Sequence, residues 1–190
     1  VTDRGTPLIS DPGNVIVGES IKQNITVIAL PGPNALLPAI NMSGLSNERF
    51  LFYGFLNSKQ SLAKKELIDL KDIKQTIIFY ESPHRITDTL SQILDVFGNR
   101  NIAIVREISK IHEEVIRDNI ENILKISDTL KGEMVIIVEG NTKEETLEVN
   151  YIEEIDKLLT QGYSKRDAIR EIADKYNVSK NKLYNEFKEN

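Results

Sequence analysis

The sequence predicts an α/β fold with a mixed sheet, followed by a small helical tail. Three observations carry this. Short runs rich in β-branched and aromatic residues recur along the first 140 positions; several are separated by segments of helical spacing; and after a polar stretch at 141–150 the pattern turns purely helical.

The chain opens Val1-Thr2-Asp3 without methionine, with the turn-like Gly5-Thr6-Pro7 at once. This reads as the end of a strand whose beginning is missing, so the chain is expected to be a piece of a longer protein. Ile25–Leu30 is an unbroken apolar run of strand length, stopped by Pro31-Gly32-Pro33, and residues 33–43 then offer Ala35, Leu36, Ala39 and Ile40 at helical spacing. Further strands are expected at 50–56, 76–80, 102–106 and 134–138, with helices over 62–70 and over 86–97, the second closing at Gly98. In the tail, Ile152, Ile155, Leu158 and Leu159 share one helical face. Ser164, with Asp167 three residues on, caps a second helix; Asn177-Val178 turns, and Ser179 caps a third. Two short helices joined by a tight turn match helix-turn-helix spacing.

Composition bounds the function. At 40% hydrophobic and 28% charged the chain has both a core and a polar surface, which excludes disorder and collagen-like structure. No apolar run approaches the roughly 20 residues of a membrane helix, and Val1 to Ser10 reads as neither a basic leader nor a signal-peptide core, so a soluble cytoplasmic protein is expected. Without cysteine there is no disulfide framework, thiolate metal site or cysteine nucleophile, and two histidines, His84 and His112, leave little for a metal centre. Residues 1–150 carry 16 basic and 21 acidic side chains, residues 151–190 eight of each. The acidic part is not a general phosphate-binding surface, so any nucleic-acid contact must use local patches.

Four segments could carry chemistry. Residues 3–13 hold two glycines, two prolines and two aspartates, a rigid turn with exposed amides and carboxylates suited to a polar ligand, or a loop stiffened for its own sake. Pro31-Gly32-Pro33-Asn34-Ala35 is a strand-to-helix junction whose amides could receive anionic ligand atoms, or only a helix start. Phe79–Arg85 and Val105–Lys110 place Glu81, Arg85, Glu107, Arg106 and Lys110 at strand ends, where they could bind ligand hydroxyls and phosphates or form a structural Arg-Glu network. His84 is the nearest group of intermediate acidity, and a histidine after a proline turn also serves packing or capping.

The order and wording of these segments are more specific than any one of them. TDRGTPLISDPG, ALPGPNA, GLSNERFLFYGFL, TIIFYESPHRI, IVREISKIHEE and KGEMVIIVEG, with the tail SKRDAIREIADKYNVSKNKLYNEF, together resemble the ribosomal RNA small subunit methyltransferase I family of the tetrapyrrole-methylase-like superfamily. The resemblance implies the remainder of an amino-terminal methylase domain at 1–46, a second methylase domain at 47–141, a linker at 142–150 and a helix-turn-helix-like tail at 151–190. It implies S-adenosylmethionine as cofactor, methylation of the ribose 2′-hydroxyl of a decoding-centre cytidine in 16S rRNA of the small ribosomal subunit, a homodimer, and no metal or membrane.

Carried over by motif, the cofactor contacts are Asp3, Gly5, Thr6, Ile9, Asn34, Ala35, Tyr80, Glu81 and Met134. Candidate proton acceptors are Glu81, His84, Glu107 and Asp11. Phosphate contacts are expected from Arg85, Arg106 and Lys110, and from Lys180 and Lys182 at the start of the last helix, within a stretch of seven basic residues from Lys165 to Lys188. The family has an opening strand and glycine-containing segment that this sequence lacks; without them, sheet edges and an apolar helix face should lie uncovered. Two rival functions are a small-molecule tetrapyrrole methylase, which should lack the tail and the FYESPHR and VREISK wording, and a non-catalytic RNA-binding module.

Overall fold

The computed structural model describes residues 5–142, 150–176 and 178–189. The predicted cofactor contact Asp3 and most of the predicted linker lie outside them. The chain divides into two compact units, one within residues 1–142 and one within 143–190.

The first unit is built on a five-stranded sheet of β1 (Phe50–Phe55), β2 (Thr76–Glu81), β3 (Asn101–Arg106), β4 (Glu114–Asn119) and β5 (Met134–Val138), in the order β1-β2-β5-β3-β4. β1 and β2 are parallel, and the other three pairings are antiparallel. Strict alternation sorts the central strands onto two faces. Ile77, Phe79, Ile102, Ile104, Ile136 and Val138 pack under α3 (Gln60–Leu70), α4 (Ile86–Phe97) and α5 (Ile120–Leu124). Ile78, Ala103, Val105, Val135 and Ile137 pack on the other side with Ala39 and Ile40 of α2 (Leu36–Ser43). Both faces of the middle strands are therefore buried, which is why they read as nearly continuous apolar runs.

α4 forms where the sequence predicts it, with Ile86, Leu90, Ile93 and Phe97 inward, and stops at Gly98, whose φ of 78° suits glycine. The expected strand at 25–30 is absent. Ile25, Ile28 and Leu30 are 56%, 78% and 78% exposed, and no described strand supplies the ladder hydrogen bonds that an apolar run needs to become a strand. Preceding it, α1 (Asn14–Lys22) buries no residue.

The second unit is three helices, α6 (Tyr151–Thr160), α7 (Lys165–Tyr176) and α8 (Lys180–Glu189), around Ile155, Ala168, Ile169, Ile172, Ala173 and Leu183. The predicted cap is formed: the Asp167 amide donates to Ser164 Oγ at 3.2 Å, and Ser164 Oγ donates to the Asp167 carboxylate at 2.6 Å. Among the described residues no helix is long and apolar enough to cross a membrane.

Candidate functional site

β1, β2 and β3 all end at the same edge of the sheet, where β5 and β4 begin. One row there runs Glu81, Met134, Arg106, Glu114, and beside it Phe55 pairs with Tyr80. Crevices outside the carboxyl ends of strands are the usual ligand positions of α/β sheets. Four sequence-predicted residues, Tyr80, Glu81, Met134 and Arg106, fall on this edge, and His84, Arg85, Glu107 and Lys110 lie on the loops that leave it.

The two amino-terminal bends meet there. Thr6 Oγ1 donates to the Pro33 carbonyl at 3.0 Å, and a Cβ on Gly5 would stand 3.3 Å from the same oxygen. Leu8 and Ser10 hold left-handed backbone at φ 73° and 57°, a costly conformation for such side chains. Ser10 Oγ lies 3.0 Å from where a Cβ on Gly54 would be, so the absence of a side chain in β1 lets the loop approach the strand. Ile9, in the same loop, is 43% exposed. Just before α2 the Asn34 carboxamide oxygen accepts from the Leu37 amide at 3.0 Å, so this predicted ligand contact also holds the first turn of the helix. The Tyr80 ring packs against the same core cluster as Ala35 and Leu36, whose backbone lies beside its hydroxyl. Burial raises the hydroxyl's pKa, and that backbone opposes the rise.

Sheet alternation sets the side chains of two of these residues apart from Tyr80. Glu81 and Met134 point to the face opposite Tyr80, under α3 and α4, because they occupy adjacent paired positions of opposite parity to it. Met134 is core. The Glu81 side chain is 1% exposed; its oxygens accept from the Ser82 amide at 2.7 Å and the Thr89 hydroxyl at 2.6 Å, and Arg85 Nε stands 3.7 Å away. Both oxygens serve the turn into α4. Arg85 in turn donates through Nη2 to the carbonyls of Leu56 and Asn57, at 3.0 Å each, and so ties the end of β1 to that turn rather than presenting a bare cation.

The loop after β3 is braced in the same way. Glu107, at φ 51°, accepts through Oε1 from Lys110 Nζ at 2.9 Å and from the Glu133 amide at 3.0 Å. Lys110 also reaches Glu133 at 3.2 Å, and Arg106 pairs with Glu114 at 2.6 Å. The Lys110 hydrogen bond, then the Glu133 amide, hold the Glu107 carboxyl below its ordinary value, and its partners hold Lys110 above its own. A carboxyl so held is a poor proton acceptor. The carboxylate rests over Gly132, where a Cβ would stand 2.3 Å from Oε1. Gly132→Ala is therefore expected to expel it and speed hydrogen exchange at the Glu133 amide by roughly tenfold, what the loss of one such bond supplies. In the native chain the brace should be complete above the ordinary carboxylate range and should open as pH falls through the lowered Glu107 value, because protonation removes the charged acceptor. Exchange at the Glu133 amide, measured across that range, checks the sign.

His84 is exposed on the turn between β2 and α4, and Asp11 is half-buried in the loop at residues 5–13. In the tail, Lys180 and Lys182 are both exposed, and Lys180 pairs with Asp174 at 3.4 Å. Among the described residues no group of three or more His, Asp or Glu side chains is placed to hold a metal. Sequence reasoning missed Phe55, which stands 52% exposed at the end of β1 with its ring 5.5 Å from that of Tyr80. Its signal was an aromatic residue directly after a glycine at a strand end.

The glycines, the helix start and the exposed backbone form a donor set that fits a nucleotide-like ligand with polar ends. Comparison with known proteins points the same way. Residues 1–124 match the family described as Tetrapyrrole (Corrin/Porphyrin) Methylases. A ribosomal RNA small subunit methyltransferase I of Halalkalibacterium halodurans is 40% identical over 97% of this chain and 67% of its own length. The protein of that name from Bacillus subtilis is 39% identical over 98% of this chain and 67% of its own. The chain thus spans about two thirds of the length of these relatives. Among solved structures, the methyltransferase CobJ superposes with a TM-score of 0.56 at 16% identity, over 75% of this chain and 64% of that one. Uroporphyrin-III C-methyl transferase from Thermus thermophilus, complexed with S-adenyl homocysteine, superposes at 0.52 and 16% identity, over 71% and 62%.

Proposed function

Because the chain belongs to the tetrapyrrole methylase family, in the branch of the ribosomal RNA small subunit methyltransferases I, we propose that its whole protein methylates rRNA with S-adenosylmethionine, at the ribose 2′-hydroxyl of a decoding-centre cytidine of 16S rRNA. The supporting observation is the meeting of the 5–13 loop, the Pro31–Ala35 corner and Tyr80 at one edge of the sheet. When bound, the cofactor supplies an activated methyl group on a sulfonium, which makes the transfer downhill.

The chain's own residues align and deprotonate. The Gly5–Ile9 backbone, Asn34, Ala35 and the Tyr80 hydroxyl would hold the cofactor, and the loops that leave the edge would set the ribose oxygen in line with the methyl group. A ribose hydroxyl is a weak acid, so a neighbouring group must take its proton as the carbon–oxygen bond forms. Glu81 is occupied and buried, and Glu107 is held at low pKa, which leaves His84 and Asp11 as the proposed acceptors.

For RNA, the exposed tail lysines are the better phosphate ligands. The Lys180–Asp174 pair is exposed on both sides, and such surface pairs are worth only about 0–1 kcal/mol, so phosphate can displace the aspartate. Arg106 and Lys110 would first have to leave their carboxylates, and Arg85 its two carbonyls. Homodimerisation and a cytoplasmic location complete the reading.

Removing residues 151–190 is expected to weaken binding to small ribosomal subunits at least about tenfold, given several lost phosphate contacts, while calorimetric affinity for S-adenosylmethionine stays unchanged. Equal subunit binding by the shortened chain would remove the tail from the mechanism. No heat of cofactor binding with either chain would favour a non-catalytic RNA-binding module.

A further inference from the structure

We propose that Phe55 is the stacking surface for the nucleobase of the nucleotide being methylated, with Tyr80 holding its ring edge-on; this rests on the RNA reading above. In a regular strand, residues three apart face opposite sides of the sheet. Phe52 and Phe55 are three apart, yet both rings lie against Tyr80, at 4.9 and 5.5 Å and both edge-on. The cause is a bulge. The pairing of β1 with β2 slips between Phe52 and Gly54, and Gly54 takes φ 85°. Tyr53 goes to the opposite face, where its ring meets Phe79 at 5.7 Å, and Phe55 is turned onto the Tyr80 face.

A bulge gives up regular ladder pairing, and bulges recur where a side chain must be re-aimed beside a site. Burial among the described residues does not explain this one, since Phe55 remains 52% exposed after being turned. Tyr80 packs in one cluster with Ala35, Leu36 and Phe52, so the aromatic group is braced before any ligand arrives. Edge-to-face support of this kind leaves a face of the Phe55 ring available, and an aromatic face at a strand end is what an unstacked base needs. Among the described strands β1 lies at one edge of the sheet. The adenine ring of the cofactor has the same stacking chemistry and is distinguished by the experiment.

The full chain is titrated with a short single-stranded RNA containing the cytidine, and with the same RNA carrying an abasic ribose at that position. Wild type should bind the intact RNA roughly tenfold more tightly, the size of one base–aromatic stack. Phe55→Leu, which keeps apolar volume without a π-face, should bind both alike, and Phe55→Trp should restore the preference. Calorimetric affinity for S-adenosylhomocysteine should be the same in all three, which also reports that the variants are folded. Retained preference in Phe55→Leu overturns the proposal, as does equal binding of both RNAs by wild type. Weakened S-adenosylhomocysteine binding in Phe55→Leu would assign the ring to adenine instead. Wild type that binds neither RNA defeats the RNA reading itself and the proposal with it.

Discussion

Replacing Gly140 by alanine is expected to lower the unfolding free energy of the sheet unit by at least about 3 kcal/mol, at the upper end of overpacking costs. The added Cβ would stand 2.0 Å from the Lys74 carbonyl oxygen, 2.4 Å from its carbon and 2.7 Å from the Gln75 oxygen. All three are backbone atoms of the segment that enters β2, so no side-chain rotation relieves the overlap. The same crossing is tied by the Asn141 amide donating to the Ile73 carbonyl at 2.7 Å, and the displacement that admits a methyl group would lengthen that bond. The control is Gly18→Ala in α1, where nothing lies within 4 Å of the new carbon. It should raise stability by about 0.5–1 kcal/mol through helix propensity alone. Urea unfolding midpoints of the two variants should move in opposite directions.

Removing the Glu81 carboxylate is expected to be the second large effect, and one of stability rather than of chemistry. In Glu81→Ala the Thr89 hydroxyl and the Ser82 amide lose their acceptor in a place water hardly reaches, and Arg85 loses its nearest counter-charge. Losses of this kind cost about 2–4 kcal/mol. Arg85 keeps its two carbonyl partners and a third of its surface in solvent, which holds the figure to that range. Glu81→Gln retains the shape and should cost less. The two roles separate cleanly. As a structural carboxylate, Glu81 moves the unfolding midpoint in both variants and leaves S-adenosylmethionine affinity within about twofold, because its contacts lie on the face away from Tyr80. Were it the proton acceptor, Glu81→Gln would abolish methyl transfer with the midpoint unmoved.

What the sequence shows best is what repeats locally. The strands at 76–81, 101–106 and 134–138 are nearly pure apolar runs because both faces are covered, and such runs are visible without knowing what covers them. The Ser164–Asp167 box and the Gly98 stop are equally local. β4 escapes notice because only Val115 and Ile116 are apolar in Glu114–Asn119; it is an edge strand, half in solvent and guarded by charge. α1 has no buried face to betray it. The run at 25–30 misleads for the reverse reason: it has strand composition and no strand beside it. At the site, the wording of the loops identifies the edge of the sheet, since Thr6, Asn34, Ala35 and Tyr80 do converge there.

By itself, then, the amino-acid sequence determined the fold class, the central strands, the helical tail, the family and the segments that gather at one edge of the sheet, because hydrophobic period, capping residues and motif order are properties of neighbours along the chain. Only the tertiary structure decided that Glu81 and Met134 turn inward, that a slipped pairing in β1 swings Phe55 onto Tyr80, and that Arg85, Arg106 and Lys110 already hold partners. Those outcomes depend on strand register and on polar groups brought together from more than 20 positions away, as the Leu56 carbonyl meets Arg85 and Glu133 meets Lys110. Local patterns carry no record of such encounters.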